Sequence, residues 1–250
     1  MNKIEVKNLN ISFDDIVICD NLTFNVNENS YTTIIGPSSS GKTTLFKEII
    51  NGNKRIKTFG KIKYIHTNPS KHILAKTVRK QLEFFLEIEG YSKRQISSRI
   101  KNIISIFKLD SILNEDPYFL SEGQKQLVVL CSYLVLDLDI LVMDNALCRI
   151  DKYTKKKVID YFGKLKKKKV TIINFASDVD EIEGSDYTII LDKKIVYKDY
   201  TKNAIKDIKV FEDNNLQAPF LLDASCKLKY YEILDKEVKS IDKLVNELWK

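Results

Sequence analysis

Tyr31-Thr32-Thr33-Ile34-Ile35-Gly36-Pro37-Ser38-Ser39-Ser40-Gly41-Lys42-Thr43-Thr44-Leu45-Phe46-Lys47-Glu48-Ile49-Ile50 holds three structural instructions in succession. Tyr31 to Ile35 is a short apolar, β-branched run, the pattern of a buried strand. A glycine- and serine-rich loop follows, and Thr43 to Ile50 reads as a helix. The loop fits G-x-x-x-x-G-K-[ST], whose glycines let consecutive backbone N–H groups curl around phosphate oxygens. In that arrangement Lys42 reaches the β- and γ-phosphates and the Thr43 hydroxyl ligates Mg²⁺, with Thr44 next along the helix. The helix start adds unpaired N–H groups and the positive end of its dipole to the same place.

A P-loop site needs a second metal-facing group, usually an aspartate at a strand end. Ile140-Leu141-Val142-Met143-Asp144 supplies one, the alternative being an Asp that only caps the next turn.

Upstream of the loop, Ile4 to Leu9, Ile11 to Phe13 and Leu22 to Val26 alternate as strands between Asn and Asp turn signals, which predicts an antiparallel opening sheet. Downstream, the period becomes helical from Lys76 to Leu113, and Ser92 with Gln95 forms a capping box for its second helix. Then come a helix (Ser121 to Leu136), the Asp144 strand, a helix (Lys152 to Leu165), a strand (Val170 to Phe175) and a strand pair (Tyr187 to Leu191, Ile195 to Tyr197). Such alternation predicts an α/β fold with a parallel sheet. Residues 201–250 read as an amphipathic helical tail.

The 44% hydrophobic content of 250 residues is enough for a substantial core, which excludes full disorder. The net charge of +7 is mostly dispersed lysine, so no specific nucleic-acid partner is expected. Its densest run, Lys164 to Lys169, reads as a connecting turn. Cys19, Cys131, Cys148 and Cys226 are far apart with no CxxC pair, which suggests neither a zinc site nor a disulfide framework. Lys3, Glu5 and Lys7 interrupt any apolar opening segment, so no signal peptide is expected; the longest apolar stretch, Leu127 to Met143, is broken by Asp137 and Asp139, so no membrane span is expected either.

Leu120-Ser121-Glu122-Gly123-Gln124 ends twenty residues before Asp144 and resembles the LSGGQ signature of ABC ATPases. The resemblance covers Ile4 to about Tyr197. It implies a P-loop NTPase (RecA-like) ABC cassette over residues 1–200, with an antiparallel β subdomain, a helical subdomain near 70–120 and a C-terminal helical extension over 201–250. It implies ATP and Mg²⁺ as cofactors, and head-to-tail pairing with a second ABC ATPase subunit, a copy or a distinct one. In such a pair Ser121, Gly123 and Gln124 complete the partner's γ-phosphate site; Glu122 stands where the family has Gly. Phe13 takes the place of the aromatic that stacks on adenine, or is a strand-face core residue. Asp151 matches the D-loop aspartate that contacts the other cassette, or is a helix N-cap.

Two stretches are similar to energy-coupling factor (cobalt/vitamin-type) transporter ATPases: Asn68-Pro69-Ser70-Lys71-His72 with Thr77-Val78 and Phe84-Phe85, and Ala218-Pro219-Phe220, Lys227-Leu228 and Ser240-Ile241-Asp242-Lys243-Leu244. That resemblance implies transmembrane transporter subunits as partners and a place at the cytoplasmic face of the membrane. Ile73, Leu74, Phe84 and Phe85 would be docking surface there, or ordinary core.

Three positions depart from the family at hydrolysis. Asn145 replaces the glutamate that polarises the attacking water; an amide cannot accept its proton. Ser177 replaces the switch histidine, and Thr67 replaces the Q-loop glutamine, with His66 beside it as a substitute or an ordinary strand-end residue. The expectation is therefore an ATP-binding subunit of an importer whose own site hydrolyses poorly. The alternatives are a soluble ABC switch protein of translation or DNA repair, and a non-catalytic ATP-binding regulator.

Overall fold

The computed structural model describes residues 1–235, 238 and 241–249, with Ile241 by its backbone only. Ser240, quoted above for the extension, lies outside the described residues.

The chain opens with β1 (Asn2–Phe13) and β2 (Ile16–Asn27), an antiparallel pair that β4 (Ile56–Thr58) extends on the β1 side. Ile4 to Leu9 and Ile11 to Phe13, expected as separate strands, are one. Asn8 takes a left-handed φ of 47° and its N–H bonds to Thr23 Oγ1 (3.0 Å), so the chain bulges without leaving the sheet. At the far end Phe13 pairs with Ile16 across Asp14 and Asp15, both at positive φ, a two-residue hairpin turn.

A second sheet holds six strands in the order β5-β6-β7-β3-β8-β9: β3 (Tyr31–Ile35), β5 (Ile62–Ile65), β6 (Ile140–Asp144), β7 (Thr171–Phe175), β8 (Tyr187–Asp192) and β9 (Lys194–Tyr200). β5, β6, β7, β3 and β8 are parallel, and β9 returns antiparallel. β3, β6 and β7 are buried along their whole length, as central strands covered on both faces must be. One apolar layer joins the two sheets through α1 (Lys42–Asn51): Ile4, Val6, Phe24, Leu45, Phe46, Ile49, Val142 and Phe175 pack together.

On the other face lies the helical block. α2 (Val78–Ile88) buries Val78, Leu82 and Leu86, and α3 (Lys93–Phe107) buries Ile100, Ile103, Ile104 and Phe107. Both sides of the Ser92–Gln95 capping box form. α4 (Glu122–Leu134) and α5 (Lys152–Lys167) complete that core with Val128, Leu130, Val158 and Phe162. The lysine run is not simply a turn: Lys164, Lys166 and Lys167 occupy the last turn of α5, where cations suit the helix dipole, and only Lys168 and Lys169 leave it.

Among the described residues the tail consists of short helices, α6 (Thr201–Ala204), α7 (Lys209–Glu212), α8 (Phe220–Tyr230) and α9 (Ile241–Leu248). Ala204, Phe211 and Leu222 pack against Ile35, Ala176 and Ile190, behind the central strands. No helix among the described residues is long and apolar enough to cross a membrane.

Candidate nucleotide site

The Gly36–Thr43 loop leaves the C-terminal end of β3, where parallel α/β sheets place their sites. Its glycines answer two close approaches. A Cβ on Gly36 would lie 2.0 Å from the Leu191 carbonyl oxygen, and one on Gly41 would meet Cys19 Sγ at 2.8 Å, with φ of 97° besides. The β8–β9 turn braces the loop, Lys193 N–H donating to Ser40 O (3.0 Å). Lys42, first residue of α1, donates from Nζ to Gly36 O (2.7 Å), Pro37 O (2.9 Å) and Ser40 Oγ (3.3 Å). Burial draws its pKa below the lysine norm while Asp144 and Asp192 oppose the shift. Ser38, Ser39 and Thr43 are exposed beside it.

Asp144 ends β6 at 2% exposure. Thr67, just past β5, donates from Oγ1 to Asp144 Oδ2 (2.9 Å), while Oδ1 is buried without a hydrogen-bond partner. A buried carboxylate oxygen left unpaired is costly, and it is the hard oxygen donor that a divalent cation takes.

Asn145 takes a φ of 51°, a conformation asparagine tolerates better than most residues. Its Oδ1 accepts from Ser177 N–H (2.8 Å), and its own N–H donates to Phe175 O (2.8 Å). Thr67, Asn145 and Ser177 thus converge on the ends of β5, β6 and β7 around Asp144. The side-chain oxygen of Asn145 is engaged with the backbone.

The Ser121 hydroxyl accepts from Gln124 N–H (3.3 Å), and Gln124 Oε1 accepts from Ser121 N–H (3.0 Å), a capping box that opens α4. Gly123 has Arg149 O 2.6 Å from where a Cβ would stand. Asp151 caps α5, accepting from Thr154 N–H (2.9 Å). Phe13 is 69% exposed at its hairpin tip, so it is not a core residue. Ile73 is buried, Phe85 is partly buried with its ring 4.8 Å from Tyr133, and Leu74 is exposed.

His66 lies in an aromatic cluster, its ring 5.3 Å from both Phe46 and Tyr64 and 5.6 Å from His72. Nothing in the sequence singled out His72 as more than part of a motif. Its Nε2 accepts from His66 N–H (2.9 Å), so Nδ1 carries the proton and donates to Tyr133 OH (2.8 Å) on α4. Burial, then His66 and Lys71, lower its pKa to about 4. The imidazole is neutral in the fold, whereas the unfolded chain takes up a proton below about pH 6.5. Stability is therefore full above that pH and declines as the pH falls towards 4, by about 3 kcal/mol from this residue. Urea titrations from pH 7.5 to 4.5 should show that decline, and His72→Gln should flatten it. An equal slope in the variant would assign the decline to other groups.

A second feature the sequence did not single out lies below β7. Glu181 is fully buried, accepts from Lys155 Nζ (3.2 Å) and from Asn174 Nδ2 (3.0 Å), and burial raises its pKa. Its partners lie on α5 and β7, and no local motif connects them.

A strand-loop-helix cradle at the end of a parallel strand, with a buried aspartate on a neighbouring strand, defines a P-loop NTPase fold. The family described as "ABC transporter" matches residues 19–148, and the chain belongs to it. Energy-coupling factor transporter ATP-binding protein EcfA1 of Mycoplasma capricolum is 28% identical over an alignment covering 99% of this chain; the chain spans 66% of that protein's length. The Mycoplasma genitalium protein of the same name is 26% identical, with 97% and 95% covered. Among solved structures, CbiO1 from Clostridium perfringens, part of the ABC transporter complex CbiONQ, superposes with a TM-score of 0.72 at 19% identity, covering 89% of this chain and 98% of that one. A dimeric ATP-binding cassette in a post-hydrolysis state bound to ADP and Pi gives 0.68 at 19% identity, covering 79% and 98%.

Proposed function

We propose that this chain is the ATP-binding subunit of an ABC importer of the energy-coupling factor kind, with residues 1–200 as the cassette and 201–250 as its extension. It binds MgATP, pairs head to tail with a second cassette and works at the cytoplasmic face of the membrane through transmembrane subunits. The observation that carries the reading is the pairing of the Lys42 cradle with the unpartnered Asp144 Oδ1. Together they offer a cation and a metal-ready carboxylate to a triphosphate.

Gly36 to Thr44 would hold the phosphates, Phe13 the adenine, and Thr43 and Asp144 the Mg²⁺, which supplies charge neutralisation when bound. Ser121, Gly123 and Gln124 would face the nucleotide of the partner cassette. Hydrolysis at this chain's own site is weak because none of the three positions that depart from the family takes a proton from water: Asn145 is an amide, Ser177 a hydroxyl, and Thr67 is committed to Asp144. The partner is then a distinct, competent cassette.

Affinity purification from detergent extracts tests this. The expected result is a complex holding a second cassette of different sequence and membrane subunits, which binds MgATP by calorimetry. A chain that purifies alone and binds RNA or DNA in a salt-sensitive manner would refute it.

A further inference from the structure

Two side chains that no motif joins meet at the first turn of α4. Arg149 Nη1 donates to Glu122 Oε2, and Lys125 Nζ donates to Glu122 Oε1 (3.1 Å). The backbone takes part too: Arg149 O stands so close to Gly123 that only a glycine fits there. Asp151, two residues on, caps α5. Arg149 therefore ties the segment between β6 and α5 to the first turn of α4 by both main chain and side chain.

Glu122 is an uncomfortable residue for that turn. A carboxylate suits a helix N-terminus, but in the head-to-tail pair proposed above this turn faces a triphosphate, and like charges within a Debye length of about 8 Å repel. Lys125 first, and Arg149 with it, hold the Glu122 pKa below the usual carboxylate range, so the charge is permanent at neutral pH. Something must neutralise it. Lys125 is one turn along the same helix; Arg149 comes from a different segment and fixes the direction in which the carboxylate points.

We propose that Arg149 is a positioning residue for the partner cassette's nucleotide: it turns the Glu122 carboxylate back onto its own chain and cancels its charge, so that the Ser121 hydroxyl and the Gly123 N–H are presented to phosphate unopposed. This rests on the head-to-tail reading of the preceding subsection. It explains how a signature segment carrying a glutamate in place of glycine keeps its task, and it makes Arg149 necessary only because Glu122 is there.

The test is the steady-state ATPase of the intact complex against MgATP concentration. Arg149→Ala should raise KM about tenfold in the natural background and less than twofold in a Glu122→Gly background. Arg149→Lys should recover at least half of the loss, because a charge is what is required. Equal effects of Arg149→Ala in both backgrounds, no effect in either, or a lysine that behaves as alanine would overturn the assignment. Ser121→Arg separates the two levels of the argument. If it silences turnover while Arg149→Ala is inert, only the role of Arg149 falls; if turnover survives Ser121→Arg, the head-to-tail reading itself falls.

Discussion

Asn145→Glu should raise single-turnover hydrolysis at this chain's own site about 100-fold, measured in the complex with the partner cassette's own site inactivated. A positioned general base is worth roughly 10²–10⁴ in rate, or about 3 to 5 kcal/mol of barrier. The lower end applies because Ser177 and Thr67 remain as they are. Glutamate is one methylene longer than asparagine, and one of its oxygens can keep the Ser177 N–H that Asn145 now holds at 2.8 Å while the other faces water. Backbone strain works against the change: position 145 sits at φ 51°, where glutamate is less at ease than asparagine, at about 1 kcal/mol. That cost falls on stability, a melting point lower by about 2–4 °C, and not on the chemical step. Adding Ser177→His should raise the rate further. A gain of tenfold or less from the glutamate would mean that Asn145 is not what holds hydrolysis back.

The parts of the fold that were legible are those where chemistry is local. The Gly36 to Thr43 loop announces itself because close approaches at Gly36 and Gly41 exclude any side chain, and α3 because Ser92 and Gln95 complete a capping box three residues apart. β4 escaped notice, and β5 entered only as the strand end beside His66. They are three and four residues long, and only Ile56 and Ile65 are buried in them, so no period can be read. Asn10, between Ile4 to Leu9 and Ile11 to Phe13, looked like a turn signal; in the structure the strand continues through it across a register shift, and its Oδ1 accepts from Asn21 N–H (2.7 Å). The site divides in the same way. Lys42, Thr43 and Asp144 follow from pattern and strand ends, whereas the Thr67 bond to Asp144, the Asn145 bond to Ser177 and the Glu122–Arg149 pair join residues 77, 32 and 27 positions apart. Such pairs exist only once the parallel strands have set their register.

Lys42→Ala should weaken MgATP binding at this site at least 100-fold, read by calorimetry on the purified complex. The Lys42 ammonium holds three loop oxygens and is the one cation of the loop itself. Hydrogen bonds from a charged donor contribute about 1.5–3 kcal/mol each, and 100-fold in affinity is about 2.7 kcal/mol, so losing one or two phosphate contacts suffices. Lys42→Arg should recover little, since a planar fork cannot converge on the loop oxygens as a compact ammonium does. Asp144→Asn makes the complementary case. An amide there can still accept from Thr67, so ATP binding without metal should survive while the gain from added Mg²⁺ disappears. Lysine loss would thus weaken binding with and without metal, and aspartate loss only with it. Affinity within threefold of the natural chain for Lys42→Ala would place the triphosphate elsewhere, and every role assigned to the loop would go with it.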